Sequence, residues 1–201
     1  LEDRRGSILE SIESQGKLTP ELKAAIEQAE NKQTLEDLYL PYKPKRRTRA
    51  QIAREAGLQP LADEIFENKQ AVPEELAAAY LNAEHQINDT KAALDGARDI
   101  LAEQFSENAA LLALLRSRLK AEGAIRAAVV PEKASEAIKF QDYFEHQEAL
   151  SSTASHRMLA MLRGREQGFL TLKVDLPEVW EAESPRAPHP FESEIARLHG
   201  I

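Results

Sequence analysis

The stretch that decides the fold runs from Asp89 to Gly123 and reads DTKAALDGARDILAEQFSENAALLALLRSRLKAEG. Leu94, Ala97, Leu101 and Phe105 recur at i+3 and i+4 spacing, the period of one helical face. Ser106 and Asn108 are side chains of capping type. They mark the start of a further helix that carries Leu111, Leu112, Leu115 and Leu119. Gly123 ends that helix as a C-terminal cap.

The same period extends toward the N-terminus. Leu1 to Ser14 places Ile8, Leu9 and Ile12 on one face. Thr19-Pro20-Glu21 is a helix start, with Thr as N-cap and Pro at the first helical position. Leu22, Ile26 and Ala29 follow at helical spacing. These two helices, joined by Gln15-Gly16-Lys17, should form an antiparallel pair. A short helix runs from Thr34 to Leu40. Arg49 to Ala56 and Leu61 to Asn68 form a second pair turned by Gly57, and Val72-Pro73-Glu74-Glu75 begins a helix through Leu81.

Toward the C-terminus the period changes. Ala124 to Val130 fits a strand or an irregular segment. Ser135 to Phe144 reads as helix, and Ser155 to Arg163 as a helix closed by Gly164. From Phe169 to Leu176, Leu170, Leu172, Val174 and Leu176 alternate with Phe169, Thr171, Lys173 and Asp175, the pattern of a half-buried strand. A strand needs a partner for its ladder groups. Either Ala124–Val130 supplies it, or it lies outside this chain. Pro177 to Pro190 holds four of the ten prolines and reads as a connector, followed by a helix from Phe191 to His199. The expected fold is mainly α: a compact multi-helix assembly with a minor β-strand or hairpin near 169–176.

Hydrophobic residues make up 42% of the 201, enough for a packed core. No run approaches the roughly 20 apolar residues of a membrane span. The absence of cysteine excludes disulfides, thiolate metal sites and thiol nucleophiles. His85, His146, His156, His189 and His199 are scattered without metal-ligand spacing. There is no Gly-rich phosphate loop and no Gly-x-Ser-x-Gly elbow. Asp142, Glu145 and His146 stand close together, as charged helices commonly arrange. Arg98-Asp99 reads as a source of helix-to-helix ion pairs or caps. The expectation is a cytoplasmic protein without a cofactor, a metal or a catalytic residue.

The chain has 34 acidic and 26 basic residues, a net charge of -8, yet no acidic residue lies between Leu38 and Arg54. Lys43, Lys45, Arg46, Arg47, Arg49 and Arg54 concentrate positive charge there. Such a segment in an acidic protein suits phosphate. It suits equally an internal anchor, because arginine pairs well with carboxylates. Pro41 and Pro44 should hold it extended. Tyr39 and Tyr42 at its edge could stack on a base or on an arginine. A second candidate is Arg49 to Phe66 as a DNA-reading helix pair, but Asp63, Glu64 and Glu67 would bring negative charge to DNA, so plain packing is the better account. A third is a basic patch of Arg157, Arg163 and Arg165 behind Ser151-Ser-Thr-Ala-Ser155, where a helix N-terminus could hold an anion. The alternative there is a capped helix with a solvated face.

Leu35–Thr48, LEDLYLPYKPKRRT, followed by Ala50–Leu58 and Pro60-Leu-Ala62, resembles the signature of the bacterial Tex family of transcription accessory proteins. Gly16–Leu22, Leu94–Leu101, Lys139–Phe144 and Ser155–Gly164 ending in Gly168 match the family pattern in order. The resemblance implies that residues 1–176 are a Tex-like N-terminal helical region. It implies that 177–201 lead toward an RNase H-like domain outside this chain. The start at Leu1 without an initiator Met accords with an excerpt of a longer protein. Such a region would act as a helical scaffold, with the basic loop from Lys43 to Arg49 contributing phosphate contacts to single-stranded RNA or DNA. Most nucleic-acid affinity would then reside in helix-hairpin-helix and OB-type modules elsewhere. The alternative is a protein-interaction module docking on polymerase-associated proteins, with the loop as a clasp.

Overall fold

A computed structural model describes residues 1–182, 184 and 187–200. The chain is mainly α-helical with one three-stranded antiparallel sheet. It divides into two compact units, with the boundary between Ala113 and Leu114.

The N-terminal unit opens with α1 (Glu2–Ser14), α2 (Pro20–Gln28) and α3 (Lys32–Tyr39). Thr19 Oγ1 accepts from the amide of Leu22 at 3.2 Å, and Asn31 Oδ1 accepts from that of Thr34 at 2.9 Å. Each thereby satisfies a donor that a helix start leaves free. Ile8, Ile12, Ile26, Leu35 and Tyr39 bury a small core among the three helices.

The same unit continues with α4 (Arg49–Glu55), α5 (Gln59–Glu67), α6 (Pro73–Ala77) and α7 (Thr90–Ser106). Gly57, at φ +82°, ends α4 with paired bonds from Gly57 N to Arg54 O and from Leu58 N to Ala53 O. This C-terminal cap needs the left-handed conformation that glycine adopts freely. Leu58 is then driven onto α7. The deepest stripe of α7 is Ala93, Ala97 and Ile100, packed against Ala50, Ala53 and Leu61. Leu94, Leu101 and Phe105, expected on the buried face, are only partly covered and flank it. Small residues lie deepest because α4 approaches closely: a Cβ at Gly96 would strike Leu58 and meet Ala53 at 3.3 Å. The boundary between units falls within α8 (Ala109–Glu122), whose start is capped by Asn108 Oδ1 accepting from Leu111 N at 3.0 Å. Ser106 lies inside α7 and starts no helix.

The C-terminal unit is built on β1 (Ala124–Val129), β2 (Glu145–Ala149) and β3 (Leu170–Asp175), in the order β2-β1-β3. Ala124–Val129 is therefore the partner of the 170–175 strand, with Ala127 opposite Leu172 and Ile125 opposite Val174. Within Ser135–Phe144 the structure has a six-residue 3-10 helix, Ile138–Tyr143, rather than an α-helix. One face of the sheet is covered by α9 (Ser155–Glu166), where Met161 packs on Ile125 and Ala127.

Gly164 does not close α9. It lies buried inside the helix, where Leu170 crosses. The helix ends at Gly168, φ +72°, through bonds from Gly168 N to Arg165 O and from Phe169 N to Gly164 O. The expected connector also contains structure: α10 (Pro177–Glu181) precedes α11 (Pro190–His199). Of that connector, residues 183, 185 and 186 lie outside the described set. Arg118 ties these helices to α8, reaching Glu122 at 3.0 Å, Glu194 at 3.7 Å and Glu178 at 3.9 Å.

Two glycine substitutions check this packing in opposite directions. A Cβ at Gly164 would lie 2.5 Å from Leu170 Cδ1 and 3.4 Å from Phe140 Cδ1, both side chains being buried. Gly164→Ala should cost about 1–3 kcal/mol in urea unfolding, the range for overpacking. Gly6 sits exposed inside α1 with nothing within 4 Å of a Cβ. Gly6→Ala should therefore stabilise the chain by about 0.5–1 kcal/mol through helix propensity.

Candidate functional site

The basic loop begins as α3 ends. Leu40–Tyr42 form a 3-10 turn that contains Pro41, so Pro41 does not extend the chain. Its fixed φ is as compatible with that turn as with an extended segment. The backbone is extended at Lys43, φ -65° and ψ 128°, and again at Thr48, which caps α4 by accepting from Gln51 N at 3.1 Å. Of the two candidate aromatic faces, Tyr39 is buried. Its hydroxyl is 3.0 Å from Ser11 Oγ, and the Arg4 guanidinium sits 5.4 Å from its ring centre. Arg4 is in turn held by Glu36 at 2.6 and 2.9 Å. Tyr39 thus stacks on an arginine of this chain, and no face is left for a base. Tyr42 is half-buried against the α1–α3 core.

The loop closes one side of a cleft of about 870 Å³ whose opposite wall is the C-terminal part of α7. Glu103 organises it. Its carboxylate accepts from Thr48 Oγ1 at 2.8 Å and from Arg54 Nη1 at 2.5 Å, and Lys45 Nζ stands 3.9 Å away. Lys45 also pairs with Glu107, one turn further along α7. Burial alone would raise the pKa of Glu103. The hydrogen bonds from Arg54 and Thr48 and the charges of Lys45 and Arg54 outweigh it, so the carboxyl lies below its ordinary 4.5. Arg47 Nε binds Glu55 on α4 at 3.1 Å.

The six expected cations therefore separate into two sets. Lys45 and Arg47 tie the loop to the end of α7 and to α4, and Arg54 ties α4 to α7. Lys43, Arg46 and Arg49 are exposed and, among the described residues, form no ion pair. The charge of Lys43 does contribute to lowering the pKa of Glu36, after the larger effect of the Arg4 hydrogen bond. Lys17, from the turn between α1 and α2, also lines the cleft. The sequence reading had missed it, along with Glu103 and Glu107. The i, i+4 spacing of those two glutamates on one helix face was the available signal.

The structure does not gather Arg157, Arg163 and Arg165 into one patch. Arg157 is engaged by Glu148 on β2, with Nη2 to Oε2 at 2.7 Å and Nε at 3.1 Å from both oxygens. This pairing lowers the pKa of Glu148 and raises that of Arg157. Arg163 and Arg165 are exposed without an ion pair among the described residues. In the α4–α5 pair, Leu58, Leu61 and Ala62 are buried while Asp63, Glu64 and Glu67 face outward, as packing requires. Arg98 pairs with Asp95 within α7 at 3.0 Å and, among the described residues, with no other helix. Among the described residues no helix is long and apolar enough to cross a membrane.

With this geometry in place, comparison with known proteins decides the family. A family model described as Tex central region-like matches residues 68–201. The chain belongs to the Tex family. It is 58% identical over 190 residues to Protein tex of Bordetella pertussis, covering 94% of this chain and 24% of that protein. It is 54% identical over 174 residues to the transcriptional accessory protein Tex of Neisseria gonorrhoeae, covering 87% and 23%. Protein YhgF of Escherichia coli is 55% identical over 175 residues, covering 87% and 23%. The chain spans about a quarter of the length of these Tex relatives.

Because Glu103 titrates below its ordinary value in the folded chain, it contributes stability above pH 4.5 that is lost as pH falls through the lowered native value. Glu103→Gln should therefore flatten the acid limb of a stability-versus-pH curve measured by urea unfolding. At neutral pH it should lower stability by about 1–3 kcal/mol, since Arg54 loses its charged partner while Lys45 keeps Glu107. An unchanged acid limb would remove Glu103 from its central place.

Proposed function

We propose that this chain is the helical scaffold portion of a transcription accessory protein that binds nucleic acid, and that Lys43, Arg46 and Arg49 supply phosphate contacts to single-stranded RNA or DNA. The observation that carries the reading is the division of the loop's charges. Lys45 and Arg47 pair with Glu107 and Glu55, which ties the loop down, and Arg54 holds α4 to Glu103. Lys43 and Arg46 in the loop and Arg49 at the start of α4 are exposed and, among the described residues, form no ion pair. A pre-ordered row of cations can follow a phosphate chain at lower entropic cost than a mobile one. Relatives named as transcriptional accessory protein Tex support the setting. On this reading the chain works in the cytoplasm and contributes binding and positioning, with no catalytic step of its own.

A second reading is a protein-interaction module on the transcription machinery, with the loop as an internal clasp. The pairing of Lys45, Arg47 and Arg54 within the chain favours it. A pull-down of polymerase-associated proteins that survives nuclease and is lost on deleting Leu40–Ala50 would support that reading.

The two separate in a fluorescence-anisotropy titration of labelled single-stranded RNA and DNA at several salt concentrations. Lys43→Ala/Arg46→Ala/Arg49→Ala should weaken binding and flatten the log-log salt slope by about 2, at roughly 0.7 per phosphate on a single strand. Equal affinity and slope in this variant and the parent chain would reject the phosphate role.

A further inference from the structure

We propose that the C-terminal unit carries a separate pocket for one phosphate-bearing nucleoside, between α9 and the 3-10 helix Ile138–Tyr143. The pocket holds about 300 Å³ and is lined by Lys139, Phe140, Tyr143, Ala160 and Arg163. This goes beyond the loop reading, since the pocket lies wholly in the C-terminal unit and the loop wholly in the other.

The first argument is unmatched charge. The chain has an excess of acidic residues, and on the same helix Arg157 is fully engaged by Glu148. Yet among the described residues neither Lys139 nor Arg163 has a carboxylate within ion-pair distance. Lys139 is positioned by aromatic rings instead. Its Nζ lies 5.1 Å from the ring centre of Phe140 and 5.6 Å from that of Phe169. The two rings are 6.0 Å apart, and Lys133 Nζ stands 6.0 Å from Phe169. A cation–π contact orients an ammonium without neutralising it, so the charge stays available to an anion. Arg163 adds a planar fork suited to phosphate oxygens.

The second argument is the shape and chemistry of the lining. Ala160 is the small residue that leaves room between the cations and the rings. Tyr143 is half-buried and held edge-on by His146, with ring centres 5.4 Å apart, which gives it a fixed orientation. Two cations beside the Tyr143 ring match a phosphate joined to a base, because any base offers a π-face for stacking. An anion without a ring would use only half of the pocket. The volume suits one nucleoside and is too small for a duplex. The ligand could come from a single strand or from a free mononucleotide.

The test uses the whole chain with two probes, uridine 5′-monophosphate and a labelled single-stranded oligouridylate. Amide resonances of Tyr143 and Arg163 should shift with at least one probe. Shifts with both, and displacement of the oligomer by the monomer, would mean that free nucleotides are accepted. Shifts with the oligomer alone would mean that a strand is required. Tyr143→Leu should weaken oligouridylate binding about tenfold with the salt slope unchanged, the loss of one stacked base. Lys139→Gln/Arg163→Gln should instead flatten that slope by about one. The resonance mapping needs no variant, so it stands even if a substitution unfolds the unit. No shift at these residues with either probe would overturn the pocket. So would unchanged binding in both pocket variants alongside a loss in the Lys43/Arg46/Arg49 variant, which leaves the loop reading intact. The converse pattern would keep the pocket and reject the loop.

Discussion

The close approach of α4 to α7 is the constraint on which the N-terminal unit depends. It is possible because the facing residues are small: Ala50 and Ala53 on one helix, Ala93, Gly96 and Ala97 on the other. Larger side chains would push the helices apart, and dense interiors accommodate added volume poorly. The same approach fixes where charge can meet charge. Thr48 caps α4 and Arg54 sits at its last turn, so bringing α4 onto α7 delivers both to Glu103. Lys45, three residues before that cap, reaches Glu107. An apolar contact thus sets the register, and the ion pairs hold the loop in it.

Much of the helical architecture was legible because its signals are local. Thr19, Asn108 and Gly57 act where their chemistry places them at helix ends. The strand at Leu170–Asp175 was legible from its period of two. Other features were decided by tertiary contacts that no local pattern carries. β2, Glu145-His-Gln-Glu-Ala149, has almost no apolar side chain to alternate, yet it pairs along β1. Its stability comes from backbone bonding and from the Arg157–Glu148 pair. Gly164 looked like a helix end because glycine often is one. Here it is the site where Leu170 crosses, and the true end is at Gly168. On α7, Ala97 is buried as its period suggests, while tertiary packing buries Ala93 and Ile100 more deeply than their neighbours Leu94 and Leu101.

At the candidate site the sequence identified the cations and left their partners open. Six basic residues in a row of seventeen without an acid are visible in one dimension. Which of them are neutralised depends on Glu103, 49 residues from Arg54, on Glu107, 62 residues from Lys45, and on Glu55, eight residues from Arg47. Tyr39 illustrates the same limit. It reads as a surface aromatic at the edge of a basic loop, but its position on α3 turns the ring inward, onto Arg4. Polar handles on aromatic rings are commonly satisfied in this way when the ring is buried.

The two roles first set against each other for the loop, internal clasp and phosphate contact, are physically complementary. A loop with four free cations followed by two more on α4 would repel itself, and ordering it on a ligand would cost conformational entropy of about 1–2 kcal/mol per residue. Pairing Lys45, Arg47 and Arg54 internally meets part of that cost within the fold. It also leaves Lys43 and Arg46 in the loop and Arg49 on α4 as the cations without an ion pair among the described residues, with less mutual repulsion than six unpaired cations would have. Glu103 is central to this division because it lies beside Lys45 and Arg54 together, so a change in its ionisation would reach the ordering of the loop before it reached any exposed cation. Affinity for an anion and stability of the loop should therefore move together when Glu103 is altered, even though Glu103 itself would repel the ligand.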